Sequence, residues 1–338
     1  MPRPTRLLPK IVSTATPLRI SFVGGGTDLP SYYEHHEGAV ISSAIDKYIY
    51  VTVKRHSPLF KESYRLSYSK TEHTQSVEEI ENDIARECLK LVALEPPLYI
   101  ATSADLPANS GLGSSSSFAV GLLHALHKMK GDRVGAAQLA EEACEVEIST
   151  LKNPIGKQDQ YAAAFGGLNH FAFKKNGRVE VDHLYLPNGT TELIFKNSLL
   201  LWTGLQRSAS DVLRKQNNQL GDKLEQYGYL AGATAELKTI LMEPRDNFLN
   251  LFGELLDKTW AVKKTLESSI SSFEIDTLYD ELKMLGGLGG KLSGAGGGGF
   301  MYELIPRVFH ESVLTRFGAS RVVSIGYEPF GSRIMFEA

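Results

Sequence analysis

The residues best suited to chemistry lie in three glycine-rich loops and in a polar stretch around Asp159. The middle loop, Leu106–Ser117, reads LPANSGLGSSSS and follows a predicted strand at Leu98–Thr102. Ser114–Ser117 are good caps, and Phe118, Leu122, Leu126 and Met129 recur behind them at helical spacing up to Gly131. A strand, a glycine-serine loop and a helix in that order build an anion site. Gly111 and Gly113 let the backbone come close to a ligand, the first helical amides are unpaired donors, and the hydroxyls can also reach a metal ion. An ordinary capped helix after a polar turn accounts for the same residues equally well. The loop is neither a Walker A motif nor a dinucleotide fingerprint.

The first loop, Gly24-Gly25-Gly26-Thr27-Asp28, ends a predicted strand and offers a hydroxyl and a carboxylate suited to sugar hydroxyls. A glycine turn with a capping Asp before Tyr32 is the alternative. The third run, Gly286–Gly299, has the composition of a flexible linker. It is interrupted by Lys291, Leu292 and Ser293 and passes directly into apolar Phe300–Ile305, so it predicts a turn inside a folded domain, touching a ligand or another loop. Asp159 lies between polar residues ahead of Ala162–Gly167 and could simply cap a short helix over Gln160–Phe165. Glu141, Glu142, Glu145 and Glu147 crowd a predicted helix over Val134–Leu151, mostly as a solvated face. His124 and His127 share a helical face but have no third ligand at fitting spacing for zinc.

These residues need elements to carry them. Ile11–Ala15 and Leu18–Val23 read as β-structure, Gly38–Ile45 and Tyr48–Arg55 as a hairpin or two adjacent strands, and Ser76–Leu94 as an amphipathic helix. His170–Phe173 and Val179–Leu186 are strands around the Asn176-Gly177 turn. Composition changes after Pro187-Asn188-Gly189, which places a domain boundary there. Beyond it, Leu193–Thr203 holds the buried strand Leu199–Trp202, residues 208–272 are helical in pattern with a break near Pro244, and the chain closes on a terminal αβ pattern.

At 338 residues, with 42% hydrophobic and 22% charged side chains, the chain is an ordinary globular protein of about two domains. A formal charge of −3 supplies no field for nucleic acid or an anionic membrane, so an anionic substrate needs a local basic cluster. Cys88 and Cys144 read as buried free thiols of a reducing compartment. The N-terminal stretch lacks a signal-peptide core and no apolar run has membrane-spanning length, so the expected location is the cytoplasm.

Taken together, PLRISFVGGGTD, LPANSGLGSSSS and KLSGAGGGGF resemble the three motifs of the GHMP kinases, the family of galactokinase, homoserine kinase, mevalonate kinase and phosphomevalonate kinase. The likeness covers nearly the whole chain. It implies a two-domain α+β fold, residues 1–187 and 188–338, with ATP and the phosphoryl acceptor in the cleft between them. Pro107 and Gly111, Leu112, Gly113, Ser114, Ser115, Ser116 and Ser117 match the ATP phosphate loop. Ser115 and Glu147 match the Mg²⁺ ligands, Asp159 the catalytic aspartate, and Arg19 the basic residue that accompanies it. On the acceptor side the resemblance points to Gly25, Gly26, Thr27, Asp28, Gly294, Gly296 and Gly297. GGGTD departs from the GEHTD of galactokinases and disfavours galactose; GGGTDLPSYYEHHEGAV is similar to the branch of heptose 7-phosphate kinases and fucokinase domains, which phosphorylate an anomeric hydroxyl. A heptose 7-phosphate would need a cationic pocket, for which Arg207, Lys157 and the His35-His36 pair are the candidates, the His pair also reading as a solvated loop. A fucokinase-like or other sugar 1-kinase, or a sensor that binds sugar and ATP without turnover, is the alternative; retention of Asp159, Glu147, Ser115 and Arg19 speaks against the sensor. The expected partners are a sugar or sugar phosphate and ATP, with self-association open.

Overall fold

The computed structural model describes residues 8–338 except 188, 207, 208 and 219. Among the described residues there are twelve strands: β1 Ile11–Val23, β2 Gly38–Arg55, β3 Tyr64–Ser67, β4 Thr71–Thr74, β5 Leu98–Ala104, β6 Leu168–Phe173, β7 Val179–His183, β8 Ser198–Trp202, β9 Gly289–Leu292, β10 Phe300–Leu304, β11 Val322–Ser324 and β12 Arg333–Glu337. One eight-stranded sheet runs β12-β1-β2-β5-β3-β4, with β6 and β7 branching from β2, and a second, four-stranded sheet runs β11-β8-β10-β9. Helices cover both, giving the α+β fold.

Two breaks expected from the sequence are absent. β1 continues through Pro17, and β2 through Asp46-Lys47, because the register shifts there: Pro17 faces Tyr48 while Leu18 faces Ile45. A bulge tolerates a residue without an N–H and turns the strand. It also lets β2 serve two partners, β6 along Gly38–Ser43 and β5 along Ile49–Arg55. Asp46 on the bulge accepts the Gly326 N–H at 2.8 Å.

Helix Ser114–Lys130 packs on β1 and β2 and is apolar over most of its surface, ending at Gly131 in the left-handed region as expected. The helix expected over Ser76–Leu94 is shorter, a turn at Val77–Glu79 and then Asp83–Val92. The Asn82 side chain caps the Ala85 N–H at 2.9 Å, and the Glu72 carboxylate holds the Glu81 and Asn82 N–H groups, which breaks the chain there. The next helix also divides, into Ala136–Cys144 and a wider π-helical turn, Glu145–Thr150. In the second half, Thr190–Lys196 is a helix ahead of the expected buried strand, and the long helical stretch resolves into Ala209–Asn218, Leu224–Met242 and Phe248–Lys264, broken near Pro244.

The two sheets share a core. Phe22 of β1 meets Phe252 edge-on at 5.2 Å and Tyr302 at 5.5 Å. The last strand, β12, crosses back to pair with β1 from Val12 to Ala15. Cys88 and Cys144 are buried and free. No helix among the described residues is long and apolar enough to cross a membrane.

Candidate active site

β1 delivers Arg19 to the floor of a cleft of about 140 Å³ between the two sheets. Its guanidinium grips Asp159 with both forks, Nε to Oδ1 at 2.7 Å and Nη2 to Oδ2 at 2.8 Å, and its third arm donates to the Gly111 carbonyl at 2.7 Å. A planar fork on a carboxylate fixes distance and orientation together. Asp159 sits in the first turn of helix Gln158–Phe165, but no side chain caps that helix, so the plain capping role does not hold. Gly113, at φ 78°, leaves Asp159 open; a Cβ there would stand 3.4 Å from its carboxyl group.

Glu147 is fully buried and faces the start of the serine helix. Ser115 donates to its Oε1 at 2.8 Å, and Ser116 and Gln160 donate to its Oε2 at 2.7 Å each. The π-helical turn carries it, and wider turns of this kind re-aim side chains at functional sites. All three donors are neutral, so burial dominates and pushes the carboxyl group up to about 7. The solvated face expected for this segment is thus only partial: Glu142 also binds His127, and Glu141 accepts from the Tyr161 hydroxyl.

The remaining phosphate-loop residues divide. Gly111, Gly113, Ser114, Ser115 and Ser116 line the cleft. Leu112 is core, its carbonyl accepting the Arg19 N–H at 3.0 Å, and Ser117 donates to the Pro17 carbonyl at 2.8 Å. Pro107 is exposed and lies off the cleft wall.

On the opposite wall, Gly25, Gly26 and Asp28 face the cleft. Asp28 is held by the Gly26 N–H at 2.9 Å and by the Gln158 backbone and side chain at 3.3 and 3.2 Å. Burial, then the Asp159 charge, raises its pKa. Thr27 does not reach the cleft: its buried hydroxyl lies 2.8 Å from the Gly24 carbonyl and accepts the Ala39 N–H at 3.0 Å, pinning the loop to β2.

The third glycine run is a backbone contact and no linker. A Cβ on Gly294 would lie 2.7 Å from the Gly111 Cα, and one on Gly111 2.4 Å from the Ser293 carbonyl oxygen, so the two loops close only as glycines. Gly294 lines the cleft, whereas Gly296 and Gly297 pack against Ile270. Arg207 lies outside the described residues. Lys157 is turned away, donating to the Gly177 carbonyl at 2.6 Å over the Tyr33 ring, and His35 and His36 sit in an exposed turn.

Besides Arg19, the cations among the described residues that line the cleft are Lys263, which the sequence reading does not single out, and Lys291, which it takes only as an interruption of the glycine run. Both are buried; Lys263 donates to the Gly25 carbonyl and Lys291 to the Ser21 carbonyl, each at 2.9 Å. Burial pushes them down to about 8 and about 7. The available signal was Lys263 on the apolar face of its helix, in step with Leu256 and Trp260.

A helix start built for phosphates, with a carboxylate and hydroxyl beside it and an Arg-oriented aspartate at its mouth, is the equipment of a phosphotransferase. Residues 69–167 match the GHMP kinases N terminal domain and residues 241–307 the GHMP kinases C terminal. The chain is 33% identical over 310 residues to the D-glycero-alpha-D-manno-heptose 7-phosphate kinase of Campylobacter jejuni, covering 88% of this chain and 90% of that one. It is 27% identical over 341 residues to the L-fucokinase/L-fucose-1-P guanylyltransferase of Bacteroides fragilis, covering 87% of this chain and 34% of that one. Among solved structures, a D-glycero-D-manno-heptose 1-phosphate kinase from Bacteroides thetaiotaomicron superposes with a TM-score of 0.75 at 24% identity, over 96% of this chain and 99% of that one. The chain belongs to the GHMP kinases. It is a sugar kinase of that family, and ATP is its phosphoryl donor.

Proposed function

We propose that this kinase transfers the γ-phosphoryl group of ATP to the anomeric hydroxyl of D-glycero-D-manno-heptose 7-phosphate, giving the 1,7-bisphosphate. The observation that carries the reading is Asp159, locked by Arg19 beside the phosphate loop and left open by Gly113. In this position Asp159 takes the proton of the attacking hydroxyl, and Arg19 keeps its carboxylate aimed. The helix start at Ser114–Ser116 receives the ATP phosphates, and Asp28 orients the acceptor's hydroxyls. We further propose that residues 1–187 and 188–338 act as the two halves of the enzyme, with β12 lent back to the first.

Mg²⁺ fits the residues present. Glu147 is a buried carboxylate with three neutral donors and no cationic partner among the described residues, and Ser115 adjoins it. These two residues would hold the ion, which neutralises phosphate charge during transfer. ADP release across a panel of sugars and sugar phosphates, with phosphorus NMR of the product, tests the assignment. The expected result is a 1-phosphate ester and a preference for the 7-phosphate over galactose, fucose and mevalonate; an ester at any other carbon overturns it.

A further inference from the structure

We propose that Lys263 and Lys291 form the seat for the acceptor's own phosphate, a dianion subsite on the cleft wall opposite the ATP phosphate loop. The inference rests on the heptose 7-phosphate reading and adds to it where the phosphorylated end of the sugar lies. Both lysines are buried, at 6% and 7% exposure, yet both line the cleft. Each makes one hydrogen bond to a backbone carbonyl, and among the described residues neither makes a salt bridge to a carboxylate. An ammonium group has three donors, so two on each lysine are left over. Burying two cations without an ion pair is costly, and a fold retains that cost where a ligand relieves it.

The neighbours agree. Ser21 lines the cleft on β1 and its buried hydroxyl has no partner among the described residues; the same holds for the buried Tyr227 hydroxyl, beside Gly26. Asp28 is the acid that faces this pair, and it is already held by Gly26 and Gln158. Arg19 is committed to Asp159. The lysines hold the carbonyls of Ser21 and Gly25, whereas Arg19 holds that of Gly111 on the phosphate loop. A neutral sugar brings no charge to this pair, and a phosphate supplies the charge and the acceptor oxygens together.

Lys263→Met and Lys291→Met test this, since each keeps chain length and removes a buried charge, which folded proteins tolerate. Each variant is assayed with D-glycero-D-manno-heptose 7-phosphate and with the same heptose lacking the phosphate. The expected result is a KM for the 7-phosphate raised by roughly 10- to 100-fold, the range for hydrogen bonds to charged groups, with the preference for the 7-phosphate over the unphosphorylated heptose in kcat/KM falling by about the same factor. Equal losses on both acceptors, carried in kcat, would assign the lysines to the transferring phosphoryl group and overturn the proposal. Calorimetric titration of the 7-phosphate without nucleotide separates the subsite from the kinase assignment. Binding by the wild type that is lost in both variants supports the subsite even if turnover yields a different ester, and binding retained in both variants overturns it. A wild type that favours the unphosphorylated heptose overturns the 7-phosphate reading, and the subsite with it.

Discussion

Buried charges of opposite sign flank the cleft, and among the described residues each lacks an ion pair. Behind the phosphate loop Glu147 is a buried carboxylate that, among the described residues, is held by the neutral side chains of Ser115, Ser116 and Gln160. On the acceptor wall, with Asp28 nearby, Lys263 and Lys291 are buried cations whose hydrogen bonds among the described residues go to carbonyls. Between them Arg19 and Asp159 form a compensated pair. A fold selected for stability alone would bring the unpaired acid and the unpaired bases together; keeping them apart reserves each for a ligand of the other sign. The pair in the middle is neutralised internally because it must hold its geometry before any ligand arrives.

The largest effect should come from breaking that middle pair. Asp159→Asn keeps shape and removes charge, and kcat should fall by roughly 10²–10⁴ while acceptor and ATP binding persist. Single-turnover rates and titrations on the same preparation check this; near-normal transfer would mean that alignment by the loops suffices.

A smaller but more diagnostic effect is expected at Glu147. Glu147→Gln removes the uncompensated buried charge, so the melting temperature of the metal-free protein should rise. The stabilisation that Mg·ATP gives the wild type should shrink in the variant. A variant that melts lower without metal and responds normally to Mg·ATP would show that the acid is structural.

The lysine wall makes a prediction with a definite sign in pH. Lys263 and Lys291 titrate at about 8 and about 7 in the folded chain, below their ordinary 10.5. The unfolded chain therefore holds more protons between about pH 7 and pH 10.5, so the stability cost is full below that window and stability rises with pH across it. Denaturant unfolding at several pH values should show this rise in the wild type and a flatter profile in the double Met variant. Equal slopes would mean that the two ammonium groups are better compensated than their contacts indicate.

The smallest effect on activity is expected at Thr27, which sits in the acceptor loop without facing the cleft. Thr27→Ala should cost about 1–3 kcal/mol of stability through its lost buried hydrogen bonds, and leave KM for the acceptor nearly unchanged. A large rise in KM with an unchanged melting temperature would put Thr27 back among the acceptor contacts.

What could be read from the sequence follows what local pattern can carry. The strand-loop-helix order around Ser114 is a short-range signal, and so are the three glycine loops. Asp159 and Glu147, by contrast, looked like a cap and a solvated acid on residue pattern alone and gained roles only from resemblance. Their partners Arg19, Ser115 and Ser116 lie far off in the chain, which no local pattern encodes. Pro17 and Asp46-Lys47 looked like strand ends because the bulge that absorbs them is a property of two paired strands. Lys263 and Lys291 are not legible as site cations, because lysine type by itself points to the surface. Thr27 is the opposite case, a hydroxyl whose type suits a sugar but which is spent on the backbone of its own loop and of β2.

The return of β12 to β1 bears on how this enzyme is made. Residues 333–337 leave the ribosome after every strand and helix described before them, yet they cover the edge of the strand that carries Arg19. Until they arrive, the N–H and C=O groups of Val12–Ala15 on that side are open for pairing with any extended chain. Chains stalled or cut short of residue 333 would therefore be aggregation-prone while holding every catalytic side chain, and their yield of soluble protein should depend on chaperones more than that of the full chain.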